Sequence, residues 1–248
     1  MSVMRDDAHG TLFVYDTPAD VAKALADFFI EHAARAIEAR GRFAVVLSGG
    51  TTPKATYSLF PHAPYCEAID WDAVDFYFGD ERCVPPDNDQ SNYKTAADAF
   101  LRPMRIAGEQ VYRMRGEDDP QQAALAYRSV IFETRGETPS FDLVMLGMGP
   151  DGHTASLFPG TDPLTDDEER VRAVYATSHS QWRLTMTPSL LNAAGAVAFA
   201  VTGADKAAAL AAVREGPSNP VQYPAQIISP PNESTFVWLV DKAAAGKT

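Results

Sequence analysis

The fold is indicated by residues 43–60, which run FAVVLS, GGTTP and KATYSLF in that order. The first part, Phe43–Leu47, is typical of a strand buried on both faces of a parallel sheet, and a glycine turn and a helix start follow it. The same order recurs, with further strands predicted at Val74–Phe78, Phe141–Leu146, Gly195–Thr202 and Thr235–Val240. We therefore predict an α/β fold with a mainly parallel sheet covered by helices on both faces. Such sheets bind ligands at the carboxyl ends of their strands, where these loops lie.

Capping residues predict the first helix. Thr17 and Pro18 suit the N-cap and first turn of a helix that Gly41 closes. Residues 87–137 are more polar and helical in pattern, and are a candidate for a small side lobe. We expect residues 1–248 to form a single domain, because the chain shows no internal repeat and no low-complexity linker.

The composition is that of an ordinary globular protein, with 46% hydrophobic and 22% charged residues in a chain of 248. A net charge of −12 argues against nucleic acid as a partner, because phosphate backbones are bound through basic faces. A small anionic substrate needs only a few local cations. Cys66 and Cys83 are predicted to be free thiols, and residues 1–11 are too polar for a signal peptide. We expect a soluble, cytoplasmic protein without a membrane segment.

One candidate phosphate-binding loop lies between the first predicted parallel strand and the helix after it. It consists of Ser48, Gly49, Gly50, Thr51 and Thr52. Two glycines let the backbone approach an anion closely, and three hydroxyls with the N–H groups of the helix start can bind phosphate oxygens. The spacing of a Walker loop is absent. The alternative is an ordinary tight turn between a strand and a helix, and the loop alone favours neither interpretation.

A second glycine-rich loop, residues 147–152, formally matches the dinucleotide pattern G-x-G-x-x-G after a strand. We reject that interpretation because residues 153–158, which precede a Pro-Gly pair, are too short for the crossover helix that the pattern requires. The loop instead presents His153, whose residue type suits general-base catalysis near neutral pH, with Asp151 two residues earlier. The alternative for His153 is a structural role, bonded to a backbone carbonyl. His179 is a second histidine candidate.

Charged residues at other loop positions are further candidates. Asp80, Glu81 and Arg82 directly follow a predicted strand, which favours a role in the site over a solvated loop with a local salt bridge. Arg183 precedes an apolar alternation, and Lys206 lies in the first turn of a predicted helix. Both are candidates for binding phosphate, although each alone is more typical of a surface residue.

Several motifs together resemble the 6-phosphogluconolactonases, within the wider glucosamine-6-phosphate deaminase/isomerase-like group. They occur in the family's order between Leu12 and Val240, and they are SGGTTP, FGDERCVPPDNDQSNY, LGMGPDGHTASLFPG, RLTMT and GADKAAAL. The resemblance implies a Rossmann-like three-layer α/β/α fold and an enzyme that needs no cofactor. It also implies hydrolysis of 6-phospho-D-glucono-1,5-lactone to 6-phosphogluconate in the oxidative pentose phosphate pathway. No metal is expected, because ligand spacing for zinc is absent.

The resemblance also implies roles for the candidate residues. His153 is implied as the general base, Asp80–Arg82 as the lining of the sugar site, and the phosphate set as Ser48–Thr52, Arg183 and Lys206. The chemistry agrees, since a lactone carbonyl is already electrophilic. A water positioned by a base, worth about 10²–10⁴-fold, and donors for the oxyanion are sufficient. A G-x-S-x-G nucleophile motif is absent from the sequence.

The oxyanion donors and the role of Asp151 stay open at this point. Arg82 and backbone amides near Gly49 and Gly149 are the candidate donors. Asp151 either orients His153 or only stabilises its loop.

Two alternatives to the hydrolase remain. A deaminase/isomerase of an amino sugar phosphate would share the fold and the phosphate loop, but those enzymes carry a glutamate five residues after the histidine, where this chain has Phe158. A non-catalytic sugar-phosphate sensor would normally be fused to a DNA-binding helix-turn-helix, for which this acidic chain has no room. We therefore expect a sugar-phosphate lactone as the partner, with neither nucleic acid nor membrane. The sequence predicts no particular oligomeric state.

Overall fold

The computed structural model of the chain describes residues 2–7, 10–161, 169–231 and 233–247. Its main sheet has eight strands in the order β1-β2-β11-β10-β7-β3-β4-β6, and only the edge pair β1–β2 is antiparallel. These strands are β1 (Ser2–Asp7), β2 (Gly10–Tyr15), β3 (Phe43–Leu47), β4 (Val74–Phe78), β6 (Val111–Tyr112), β7 (Leu143–Leu146), β10 (Ala196–Val201) and β11 (Thr235–Asp241). The predicted α/β fold with a mainly parallel sheet is confirmed.

Helices cover both faces of this sheet. They are α1 (Pro18–Arg40), α2 (Thr51–Tyr57), α3 (Asn92–Ala96), α4 (Pro120–Arg135), α5 (Pro188–Asn192) and α6 (Ala207–Glu215). Buried side chains of α1 and α2 belong to the core on one face, and those of α4, α5 and α6 belong to the core on the other. The three layers implied by the resemblance are therefore present. The predicted cap of α1 is confirmed, because the Thr17 hydroxyl accepts the Asp20 N–H and Gly41 ends the helix with φ 75°.

A second, three-stranded antiparallel sheet has the order β5-β9-β8 and was not predicted. Its strands are β5 (Asp80–Arg82), β8 (Val171–Ala176) and β9 (Gln181–Met186). The charged residues after β4 therefore form a short strand and not a solvated loop. Three charged residues show no apolar periodicity, and their pairing with β9 depends on residues about a hundred positions away. Strand β5 follows the end of β4, so Asp80 and Arg82 lie at the carboxyl edge of the main sheet.

The strand order reverses direction between β3 and β7. From β3 the chain adds β4 and β6 on one side, whereas β7, β10 and β11 extend the sheet on the other. Because β3 and β7 are parallel neighbours, the loops that follow them meet at one edge. Open parallel sheets bind ligands at such a switch point. The two glycine-rich loops predicted from the sequence follow these two strands.

Residues 87–137 add a strand to the main sheet and a helix that packs against the small sheet. They supply β6, which pairs with β4 in the main sheet, and α4, which packs against β8 and β9. In the described ranges of the chain, no helix combines the length and the apolar character needed to cross a membrane.

Candidate active site

A cleft of about 280 Å³ lies at the switch point of the main sheet. The whole loop 48–52 lines one wall, and Asp80 and Arg82 enter from β5. His153 comes from the loop after β7, and Lys206 from the turn before α6. Four separate segments of sequence thus meet at the carboxyl ends of β3, β4, β7 and β10. The structure brings together most of the residues singled out from the sequence.

His153 is held by the carboxylate two residues before it. Its Nδ1 lies 2.6 Å from Oδ1 of Asp151, and its backbone N–H donates to the same oxygen at 3.1 Å. An ionised carboxylate only accepts hydrogen bonds, so Nδ1 carries the proton when the ring is neutral. The lone pair is then on Nε2, which is the ring nitrogen left for the cleft. Of the two roles considered for Asp151, this geometry favours orientation of the imidazole.

The pKa of Asp151 is consistent with a permanent negative charge beside the ring. Burial alone would raise the pKa of this carboxyl, but the hydrogen bond and the charge of His153 outweigh burial and lower it from 3.8 to about 2. Two further rings surround the imidazole, since Phe158 lies 4.7 Å and His179 6.3 Å away between ring centroids. Burial, followed by the nearby charge of Arg183, lowers the pKa of His179.

Short hydrogen bonds fix the loop that carries His153. The amide of Gly149 donates to the carbonyl of His153 at 2.8 Å, and the Thr154 hydroxyl donates to the carbonyl of Gly147 at 2.8 Å. The Ser156 hydroxyl donates to Oδ2 of Asp80 at 2.7 Å, which ties this loop to β5. Because its N–H is already used, Gly149 is not a suitable oxyanion donor.

The loop after β3 is anchored from α2. The Tyr57 hydroxyl donates to the carbonyl of Ser48 at 2.8 Å and accepts its amide at 3.0 Å. The Thr52 hydroxyl lies 2.8 Å from that of Thr202, which also lines the cleft at the end of β10. These contacts hold the backbone of Ser48 and the hydroxyl of Thr52 in place along the wall of the cleft.

Glu81 and Arg183 do not line the cleft. Both carboxylate oxygens of Glu81 are used inside the protein, where they accept the N–H groups of Arg82, Asn92 and Tyr93 and the Ser91 hydroxyl. Burial raises the pKa of Glu81, although these four donors oppose the shift. Glu81 therefore holds the start of α3 in place, and the structure does not place it in the lining of a sugar site.

Arg183 lies directly across the small sheet from Arg82, as its partner in the pairing of β5 with β9. The residue is only 7% exposed, and burial together with the charge of Arg82 lowers the pKa of its guanidinium. Arg82 donates through Nη1 to the carbonyl of Gln90. Two like charges thus lie side by side next to the cleft, an arrangement that an anion would stabilise.

Four buried side-chain polar atoms have no hydrogen-bond partner within the described residues, and all lie in or beside this cleft. They are Ser48 Oγ, Arg82 Nε, Asn92 Oδ1 and Arg183 Nε. Buried polar groups are nearly always paired, so such a cluster indicates groups that a ligand satisfies. Among the described residues, no group of three His, Cys, Asp or Glu side chains is placed to bind a metal ion.

The sequence analysis missed two polar residues of the lining, Asn92 and Thr202. Asn92 lies within the motif FGDERCVPPDNDQSNY, but an asparagine next to a serine at a helix start is more typical of capping. Thr202 was placed at the end of a predicted strand, without a role. His179 was a second candidate, and the structure places it in the cleft at the turn between β8 and β9.

Comparison with known proteins gives consistent matches over the whole fold. Residues 16–238 match the family described as glucosamine-6-phosphate isomerases/6-phosphogluconolactonase. A 6-phosphogluconolactonase of Synechocystis sp. is 38% identical over 215 residues, covering 85% of this chain and 86% of that protein. Another from Nostoc sp. is 35% identical over 237 residues, covering 94% and 95%. The solved structure of a 6-phosphogluconolactonase from Trypanosoma cruzi superimposes with a TM-score of 0.87 at 27% identity, covering 97% of each chain.

Proposed function

Since the chain belongs to the glucosamine-6-phosphate isomerase/6-phosphogluconolactonase family, we propose that it hydrolyses 6-phospho-D-glucono-1,5-lactone to 6-phosphogluconate in the oxidative pentose phosphate pathway. The identity of its relatives supports the reaction. The observation that carries the chemistry is His153, whose Nδ1 is bound to Asp151 while Nε2 is left for the cleft. The ring of Phe158 beside it supplies no second carboxylate for an amino-sugar reaction.

The proposed reaction begins with a water molecule between Nε2 of His153 and C1 of the lactone. As the water oxygen bonds to C1, Nε2 takes one of its protons and the carbonyl becomes an oxyanion. The intermediate then collapses, the C1–O5 bond breaks, and the imidazolium returns the proton to O5. The carboxylic acid formed at C1 ionises in water. Asp151 stabilises the imidazolium between the two proton transfers.

The oxyanion and the phosphate need separate donors in this scheme. We assign the phosphate to the loop 48–52 and Lys206, which line the cleft, together with Arg183, which lies beside the cleft across from Arg82. Asp80 and Arg82 lie on the sugar side. Arg82 and the amide near Gly49 remain as oxyanion donors, since the amide of Gly149 is bound to a carbonyl.

We also propose that the enzyme is cytoplasmic and consists of a single domain. Cys66 and Cys83 are both unpaired, which agrees with the reducing cytoplasm. The pairing of β6 with β4 in the main sheet and the packing of α4 against β8 and β9 support a single domain. We expect no cofactor or metal to be required.

The test is a coupled assay in which glucose-6-phosphate dehydrogenase generates the lactone and its disappearance is followed above the spontaneous rate. The protein is expected to accelerate the decay equally with and without EDTA. A protein that binds 6-phosphogluconate but leaves the decay at its spontaneous rate would be a sensor and would refute the proposal. Loss of activity on chelation, restored by one divalent ion, would refute the metal-free mechanism.

A further inference from the structure

We propose that Asn92 determines substrate specificity in this cleft, with its side-chain oxygen accepting a hydrogen bond from one hydroxyl of the sugar ring. The inference rests on the proposed function and adds the substrate group that this residue recognises. Asn92 is only 2% exposed, yet it lines the cleft, and its Oδ1 has no partner among the described residues. Leaving a buried carbonyl oxygen unpaired is costly, so a ligand that supplies a donor there is favoured.

The orientation of the amide is fixed by Asp80. Nδ2 of Asn92 donates to the backbone carbonyl and to Oδ1 of Asp80, both at 3.0 Å. These two partners are acceptors only, so they bind the NH₂ end and never the oxygen. Oδ1 must therefore point away from Asp80. A flipped amide would place two acceptors against each other and lose both bonds.

The backbone of Asn92 is also held firmly. Its N–H donates to the carboxylate of Glu81 at 2.7 Å, and the N–H of Tyr93 donates to the same group at 2.8 Å. Oδ1 approaches Gly49 so closely that a Cβ there would lie 1.9 Å away. A glycine at this position leaves the amide oxygen its place beside the loop 48–52.

An amide oxygen only accepts, which restricts what can satisfy it. The ionised phosphate, the lactone carbonyl and the ring oxygen of the substrate carry no donor and would be repelled. The ring hydroxyls do carry donors. Asn92 therefore selects a hydroxyl at this place in the cleft, whereas the cation Lys206 attracts the anionic end of the substrate.

The test compares the phosphorylated lactone with its 2-deoxy, 3-deoxy and 4-deoxy analogues. In the wild-type enzyme we expect one analogue to lose about 10- to 100-fold in kcat/KM, the range for leaving a buried acceptor unpaired. In Asn92→Ala, and in Asn92→Ser as a second variant, the penalty for that same analogue should fall to about threefold or less, because the acceptor is gone. The effects on kcat/KM of removing the hydroxyl and of removing the amide would then be less than additive.

Asn192→Ala is the matched control. Both ends of its amide are used within the protein, on the Ile227 carbonyl and the Ser229 amide, so it should leave the analogue penalties unchanged. Equal slowing of every substrate by Asn92→Ala would show that Asn92 only positions Asp80, and would overturn the inference. Wild-type rates within about threefold for all three analogues would overturn it without any variant. In both cases hydrolysis of the full lactone would leave the proposed function standing, whereas no hydrolysis at all would refute that function.

Discussion

The ring of Phe158 packs against the imidazole of His153, with 4.7 Å between their centroids, at the position five residues after the histidine. A glutamate at that position is what the resemblance implies for the deaminases of the wider group. Phe158 is buried and apolar, so it cannot exchange protons with a substrate. Within the described ranges, Asp151 is the carboxylate that contacts the imidazole, and one general base is sufficient for hydrolysis of a lactone.

The first prediction concerns reaction selectivity. The enzyme should hydrolyse the phosphorylated lactone and release no ammonia from glucosamine 6-phosphate, because opening and isomerising an amino sugar needs a further acid–base group that Phe158 does not supply. Ammonia is measured in the same preparation whose lactone hydrolysis is measured, so that the enzyme concentration is shared. Deamination at a rate comparable to lactone hydrolysis would contradict this reading of the cleft.

The second prediction concerns Gly149, which leaves room for the catalytic ring. A Cβ at this position would lie 2.1 Å from Nδ1 of His153 and 2.6 Å from Oδ1 of Asp151. Gly149→Ala should therefore displace the imidazole and lower kcat, by about 10²-fold if the shift reaches 1 Å. Binding of 6-phosphogluconate, which depends mainly on the phosphate loop, should change less.

Gly108→Ala is the matched control for that variant. A Cβ at Gly108 meets nothing within 4 Å, so kinetics and melting temperature should stay close to wild type. A Gly149→Ala enzyme with wild-type kcat would show that the ring finds its position without this close packing.

The buried strands were predictable because their sequences are uniformly apolar. Strands β3 and β4 begin and end at the predicted residues, and β7, β10 and β11 agree within two residues at each end. The loops with Ser48–Thr52, His153 and Lys206 each follow one of these strands, so most of the cleft could be predicted too. Strand β5 could not be, since its pairing is a tertiary contact.

The roles of Glu81 and Asn92 could not be predicted from their positions in the sequence. Glu81 stands between two cleft residues in sequence, but side chains alternate along a strand, and its carboxylate binds backbone amides behind the cleft. Asn92 has no charge and no motif of its own. Its role depends on an amide orientation that only the three-dimensional contacts with Asp80 determine.

The third prediction concerns Arg183. Replacing it by alanine removes a buried cation that lies across from Arg82, so we expect a clearly higher KM for the phosphorylated lactone and little loss of melting temperature. Losing a partner of a bound anion typically costs about 2–5 kcal/mol in binding. The stabilisation of the protein by 6-phosphogluconate, measured as a shift in melting temperature, should shrink in parallel.

Arg102→Ala is the control for this prediction. Arg102 is an exposed arginine that pairs with Asp98, both after the end of α3, and it does not line the cleft. Its loss should leave KM unchanged. If Arg183→Ala bound and hydrolysed the lactone like the wild type, Arg183 would be removed from the phosphate set.

The fourth prediction concerns Asp151. With a pKa of about 2, this carboxyl is ionised throughout the working range, so Asp151→Asn removes a negative charge from the imidazole at every such pH. The imidazolium loses its stabilising neighbour, and the acid limb of kcat/KM should move to lower pH while kcat falls at least about tenfold, within the 10⁴-fold known for a triad carboxylate.

The dependence of the free energy of unfolding on pH also tests the charge of Asp151. The folded-state pKa of Asp151 lies below its ordinary 3.8, so its stabilising effect is complete above about pH 4 and is lost as the pH falls towards 2. The difference in free energy of unfolding between wild type and Asp151→Asn should narrow over that interval. A difference that stays constant from pH 6 to pH 2 would contradict the depressed pKa.

The last prediction concerns His153 as the general base. The base must be neutral to take a proton from water, so kcat/KM should fall at acid pH, where a protonated imidazole cannot act as a base. His153→Asn keeps a similar size and can still hydrogen-bond to Asp151, but it cannot accept the proton. We expect normal folding, near-normal binding of 6-phosphogluconate and a loss of about 10²–10⁴ in kcat.

A structural role for His153 predicts the opposite pattern, with a lower melting temperature and near-normal kcat in the molecules that remain folded. His32→Asn supplies the comparison, because Nδ1 of His32 lies 2.9 Å from the Phe28 carbonyl on α1, outside the cleft. That variant should lose some stability and keep its turnover. Melting temperature, product affinity and kcat are measured on one preparation of each protein. A stable His153→Asn enzyme with wild-type turnover would end the assignment of His153 as the base.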